Sequence, residues 1–338
     1  MNPSPGRNPL GQPVTVRLLS LVDGGSNRPL SIEGKAVISP KHFLKLARAP
    51  FLTASIIPVL LGTALAYRLQ GAFEPVDFAL VLLGMVFAHL GVNLANDFFD
   101  FQQGADQNNR FRNPFSGGSP ALVEGMESPL RIKRLFLLSF VTAATCGAAL
   151  MVRVDGGIGP VFWIALGGFV SGYFYTAPPF KFVYRGFGEL FILLGFGVLP
   201  VLGTYYVQTG TLALEPVIAG AAVGLLTTNI LYINQFPDYW SDREAGKGTL
   251  VVRLGTARAR FVYPVILAGA ALFIALGPAL FAFPLFYLAG LPALAPAVVA
   301  GSILMRHHGE PPLLLKGQAL TIVRQLAARL VLTAAVLL

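Results

Sequence analysis

The sequence predicts an all-α integral membrane protein of about nine transmembrane helices, and three observations carry that prediction. Of its 338 residues, 54% are hydrophobic and only 12% charged, where a soluble domain carries about 25% charged residues. The mean hydropathy is +0.66. Apolar stretches recur at close to the ~20 residues a helix needs to cross a bilayer, and basic residues gather in alternate connections between them.

In chain order the stretches fall at 51–69, 78–99, 135–153, 158–176, 187–207, 216–236, 261–279, 281–304 and 320–338. The second and the sixth each run into an Asn/Asp cluster. The fourth, which holds Gly168 and Gly172, stops at Pro178-Pro179. The fifth holds Gly195, Gly197 and Pro200, and the sixth Gly224. In lipid such residues mean close helix packing or broken helices around a cavity. Only a short Phe/Pro-containing turn separates the seventh from the eighth, and Arg324 and Arg329 interrupt the ninth.

Lys and Arg placement orients these segments. One side holds Lys41, Lys45, Arg48, Arg110, Arg112, Arg131, Lys133, Arg134, Lys181, Arg185, Arg243, Lys247, Arg253, Arg258, Arg260, Arg306 and Lys316. The other holds little beyond Arg68 and Arg153. The basic side is predicted to be cytoplasmic, in the cell membrane, with both acidic clusters on it and the C-terminus on the far side. The net charge of +9 follows this topology and gives no reason to expect a nucleic-acid partner. A single cysteine, Cys146, excludes a disulfide framework and a Cys-based metal site. Residues 1–42, rich in Pro, Gly, Ser and Asn, read as a flexible cytoplasmic tail without a signal-peptide run, and 43–338 as one membrane domain.

The chemistry is concentrated in the two clusters. The first runs from Asn93 through Asn96, Asp97 and Asp100 to Asp106; the second holds Asn234, Asp238 and Asp242. On a helix Asn93, Asn96, Asp97 and Asp100 share one face, as do Asn234, Asp238 and Asp242. Like charges at this spacing repel and oppose the macrodipole at a helix C-terminus. Doing so twice calls for a local cation, and Mg²⁺, shared between carboxylates and phosphates, is the natural one. Lys181, Lys247, Arg112, Arg185 and Arg253 are placed to neutralise the rest of a diphosphate. The Phe- and Gly-rich interior suits a hydrocarbon tail, and its aromatic faces a transient carbocation. Ser116–Ser119 is a phosphate cradle or a plain turn. His89, one turn before Asn93, reads as a packing residue rather than a metal ligand. Tyr175, Tyr184, Tyr232 and Tyr239 are substrate contacts or membrane-interface tyrosines.

At these residues the chain, over roughly 43–338, resembles the UbiA superfamily of intramembrane aromatic prenyltransferases. Asn96, Asp97 and Asp100 match the start of the family's first motif, and Asp238 and Asp242 its second. The run Arg243-Glu-Ala-Gly246-Lys247-Gly-Thr249-Leu-Val-Val-Arg253-Leu-Gly255 resembles the menaquinone-pathway branch. So do Gly104-Ala-Asp106 and Tyr175–Gly186. The third acid expected four residues after Asp100 is displaced to Asp106, which favours the 1,4-dihydroxy-2-naphthoate prenyltransferases over the 4-hydroxybenzoate enzymes. The resemblance implies nine transmembrane helices around a central cavity capped by cytoplasmic loops. It implies a polyprenyl diphosphate held through Mg²⁺ by Asn96, Asp97, Asp100, Asp238 and Asp242, and its ionisation to an allylic cation. Attack by the aromatic acceptor, with loss of CO₂ in the naphthoate case, would give a demethylmenaquinone. Another aromatic or lipid acceptor is the alternative, and a secondary transporter, whose ion sites lie at midplane, is the alternative of a different class.

Overall fold

The computed structural model describes residues 49–107 and 109–338. The tail expected at 1–42, with Lys41, Lys45 and Arg48, lies outside the described residues. Long helical segments follow one another as α1 (Thr53–Gln70), α2 (Pro75–Gln102), α3 (Pro129–Asp155), α4 (Pro160–Tyr173) and α5 (Gly188–Thr209). They continue as α6 (Glu215–Asn234), α7 (Thr256–Leu280), α8 (Leu285–His307) and α9 (Pro311–Leu337). Among the described residues there is no strand.

Every apolar stretch coincides with one of these helices, but only seven are long and apolar enough to cross a membrane. The two that fall short are α1 and α4. With 14 residues, α4 rises about 21 Å, short of a hydrocarbon core of about 30 Å. Tyr67, Arg68 and Gln70 dilute the end of α1.

The helix boundaries follow local chemistry. Pro75, Pro129 and Pro160 open helices at positions where a missing N–H costs nothing. The Ser128 hydroxyl caps α3 by accepting from the Arg131 N–H. α6 is the central helix, with 78% of its apolar window buried against 22–47% for the other six. Its contact with α5 is backbone to backbone: a Cβ at Gly197 would lie 2.3 Å from the Gly220 carbonyl and 2.4 Å from Gly224 Cα. At the same place α5 opens into a π turn, Leu194–Val198. Gly197 therefore serves both purposes expected of these glycines, packing and interruption.

α9 accommodates Arg329 by turning it inward, 2% exposed, where its Nη1 donates to the Thr227 hydroxyl at 3.0 Å. A charged group in a membrane-length helix is tolerated when it faces the bundle interior. At the end of the bundle where α2 begins, Asp77 pairs with Arg153, and the Tyr206 hydroxyl donates to Asp155 at 2.7 Å. α2 and α6 both end at the opposite side, where the acidic clusters meet.

Candidate active site

α2 stays helical through Gln102, so Asn93, Asn96, Asp97 and Asp100 do lie on one helical face. The second cluster differs from expectation. α6 ends at Asn234, a turn follows, and Asp238 precedes a separate short helix, Tyr239–Glu244. Pro237 explains the break, because it has no N–H to continue the ladder and its ring crowds the preceding turn. Asn234 therefore parts from the two acids: its Oδ1 accepts from Gln318 Nε2 of α9 at 2.9 Å. Gln318 in turn accepts from Asn113 Nδ2 at 3.1 Å.

The two clusters converge. Lys247 Nζ lies 2.9 Å from Asp100 Oδ2 and 3.7 Å from Asp242 Oδ1, joining one motif to the other. The other oxygen of Asp100 accepts from the Tyr184 hydroxyl at 2.9 Å. Tyr184 also presents its ring to two cations, Lys181 at 5.4 Å and Lys247 at 5.7 Å. Asn96 Oδ1 accepts from the Thr176 hydroxyl at 2.8 Å.

The loop that follows α2 closes over this cluster, through its described residues 109–119. Asp238 accepts from Asn109 Nδ2 at 2.7 Å and from the Gly117 N–H at 3.3 Å. Asp97 accepts from the Ser119 N–H, also at 3.3 Å. Asp106 is drawn in beneath the same loop, buried to 7% exposure. A Cβ at Gly118 would sit 2.2 Å from its carboxylate, and Gly118 has φ +69°. Only glycine fits there. Ser116–Ser119 thus meets the acids through its backbone.

Burial raises the Asp238 carboxyl above its usual range, and raises that of Asp242 well above it, with the neighbouring Asp100 adding to both. Burial works against the Lys247 ammonium, yet Asp100 and Asp242 outweigh it and hold its pKa well above that of an ordinary lysine. The Tyr175 and Tyr184 phenols are pushed up mainly by burial, so both stay protonated, and Tyr184 donates to Asp100.

The remaining sequence-predicted cations are engaged with backbone. Arg112 donates to the carbonyls of Asp106 at 2.7 Å and Gly117 at 2.9 Å. Arg185 donates to Pro179 O at 3.1 Å and Arg253 to Gly248 O at 2.8 Å. The Arg112 bonds brace the loop that carries Asp106, and the other two brace the turns beside Lys181 and Lys247. His89 accepts or donates a packing hydrogen bond with Ser55 at 2.7 Å and stands edge-on to Phe196. Sequence reasoning missed Asn109, Asn113, Thr176 and Gln318, neutral partners that bear no charge pattern. Pro237 was the one visible signal for the break after α6.

The donors fit a hard divalent cation: carboxylates and an amide oxygen, with no sulfur or imidazole among them. Two buried polar atoms in the same segments, Asn93 Nδ2 and Ser116 Oγ, have no hydrogen-bond partner, as suits donors to phosphate oxygens. No cluster of three or more acidic, His or Cys side chains is drawn tightly enough to hold a metal among the described residues; Lys247 lies between the motifs instead.

Known proteins share this fold. A UbiA homolog from Archaeoglobus fulgidus, solved bound to DMAPP and Mg²⁺, superposes with a TM-score of 0.60 at 18% identity. That match covers 85% of this chain and 98% of the other. An apo UbiA homolog from Aeropyrum pernix gives a TM-score of 0.64 at 16% identity, over 84% and 96% of the two chains. In sequence, the Escherichia coli 1,4-dihydroxy-2-naphthoate octaprenyltransferase is 33% identical over 69% of this chain and 75% of its own. The human UbiA prenyltransferase domain-containing protein 1 is 31% identical over 66% of this chain, which spans 64% of that relative. The 2-carboxy-1,4-naphthoquinone phytyltransferase of Synechocystis is 30% identical over 64% of this chain and 67% of its own.

A helical bundle with seven membrane-length helices and a capped, acid-lined site at one end is that of an integral membrane prenyltransferase. The chain belongs to the UbiA prenyltransferase family, whose profile matches residues 55–313. The transporter alternative falls with that assignment.

Proposed function

We propose that residues 43–338 transfer a polyprenyl group from its diphosphate to 1,4-dihydroxy-2-naphthoate, in a Mg²⁺-dependent step of menaquinone biosynthesis. The observation that carries this reading is the meeting of Asp97 and Asp100 with Asp238 and Asp242 under one loop. The naphthoate assignment is supported by the menaquinone-branch motifs and by the Escherichia coli and Synechocystis relatives.

Asn96, Asp97, Asp100, Asp238 and Asp242 would hold the metal, which when bound neutralises charge on the leaving diphosphate. Lys181 and Lys247, with the protonated Tyr175 and Tyr184, supply further positive charge and donors for the phosphate oxygens. Arg112 keeps the cap loop in place around it, and Arg185 and Arg253 brace the turns beside Lys181 and Lys247. Breaking the C–O bond leaves the prenyl carbon electron-poor. The acceptor ring forms a new C–C bond to that carbon, and its carboxyl group departs as CO₂. The basic, site-bearing face lies toward the cytoplasm of the cell membrane.

The direct test supplies purified protein with a polyprenyl diphosphate and 1,4-dihydroxy-2-naphthoate, in Mg²⁺ or in EDTA. The expected result is a prenylated naphthalenediol and CO₂ in Mg²⁺ alone. Undiminished turnover in EDTA would overturn the metal assignment. Product from 4-hydroxybenzoate but none from the naphthoate would overturn the acceptor.

A further inference from the structure

Lys247 belongs to the second motif's segment yet makes its closest contact with the first. Its ammonium lies 2.9 Å from Asp100 and 3.7 Å from Asp242, and its side chain is only 13% exposed. The lysine is held there. Its N–H donates to the Asp242 carbonyl at 2.7 Å, after a turn made by Gly246 at φ +69°. The other two acids are served by N–H donors, Asp97 by Ser119 and Asp238 by Gly117 and Asn109. Each of the four carboxylates therefore has a positive or N–H partner supplied by the chain itself.

We propose that Lys247 is a tethered substitute for the metal ion, one that neutralises Asp100 and Asp242 until metal and diphosphate arrive and that the metal must displace from Asp100. The proposal rests on the metal assignment made above. Two consequences follow from charge balance. Metal alone competes with the ammonium and binds weakly, because displacing a buried lysine leaves it without an anion. Metal together with a diphosphate binds well, because the phosphate oxygens take over the ammonium. Lys247 thus makes metal and diphosphate binding cooperative, and the coupling is reciprocal.

The test measures Mn²⁺ binding to the purified full chain in detergent, by the spin-resonance signal of free Mn²⁺, with and without inorganic pyrophosphate. For Lys247→Gln we expect Mn²⁺ alone to bind several-fold more tightly than to the unaltered chain, with a lower melting temperature in EDTA. The tightening of Mn²⁺ binding by pyrophosphate should shrink in the same variant. Equal or weaker Mn²⁺ affinity in Lys247→Gln overturns the proposal. Should that variant fail to fold, amine labelling of the unaltered protein decides, read by peptide mass spectrometry. Saturating Mn²⁺ should speed modification of Lys247 relative to the exposed Lys316, and an unchanged ratio overturns the proposal. An unaltered chain that takes up no Mn²⁺ under either condition overturns the metal assignment itself.

Discussion

Asp100 has both carboxylate oxygens engaged, one by the Tyr184 hydroxyl and one by the Lys247 ammonium, each at 2.9 Å. A hydrogen bond to a charged group contributes about 1.5–3 kcal/mol. Tyr184→Phe should therefore lower kcat/KM for the prenyl diphosphate by roughly 10- to 100-fold, and lower the melting temperature in EDTA as well, because the bond is present in the unliganded chain. The Asp242 carboxyl gives a second prediction. Its pKa in the folded chain is raised, by burial first and then by Asp238 and Asp100. Its stabilising contribution is thus fully present below the ordinary carboxylate range and is lost as pH rises through the raised value. In EDTA the melting temperature should fall from acidic toward neutral pH, and Asp242→Asn should flatten that slope. The acids themselves were legible from sequence because like charges beside an apolar run are anomalous. Asn109, Thr176 and Gln318 were not, because a neutral side chain 80 or more residues from its partner leaves no local pattern.

Among elements, the two motif carriers are built differently. α2 delivers its acids on an unbroken helix, whereas Pro237 ends α6 early and hands Asp238 and Asp242 to a turn and a short helix. The break frees Asn234 to pair with Gln318, so α9 is tied to the site region as well as α6. α5 and α6 depend on backbone contact at Gly197, Gly220 and Gly224. Gly197→Val would drive side-chain atoms into the Gly220 carbonyl, and overpacking of this kind costs about 1–3 kcal/mol or more. The expected outcome is a lower melting temperature and less folded protein on size exclusion. Gly168→Ala, which meets nothing within 4 Å, should leave both measurements unchanged.

For the whole molecule, charge placement and packing make a joint prediction. Basic residues cluster at the end where the acids converge, while Arg153 at the opposite end is paired with Asp77. Cys146 is the single cysteine and is buried, so its replacement by Ala gives a clean background for labelling. In intact cells a membrane-impermeant thiol reagent should leave Arg110→Cys unlabelled and modify Arg68→Cys; the reverse pattern would invert the proposed orientation.

The sequence by itself determined the membrane class, the position of every long helix and the acids of both motifs, because apolar run length and misplaced charge are local properties of the chain. It offered nine apolar runs as spans, and among the described residues seven of the nine helices are long and apolar enough to cross, because run length in the sequence does not report where a helix starts and stops. Only the tertiary structure decided that Lys247 bridges Asp100 to Asp242, that backbone amides of Gly117 and Ser119 reach Asp238 and Asp97, and that Arg112 braces a loop. Those pairings depend on where a long loop folds back over two helix ends, and distance in space between residues far apart in sequence is set by packing.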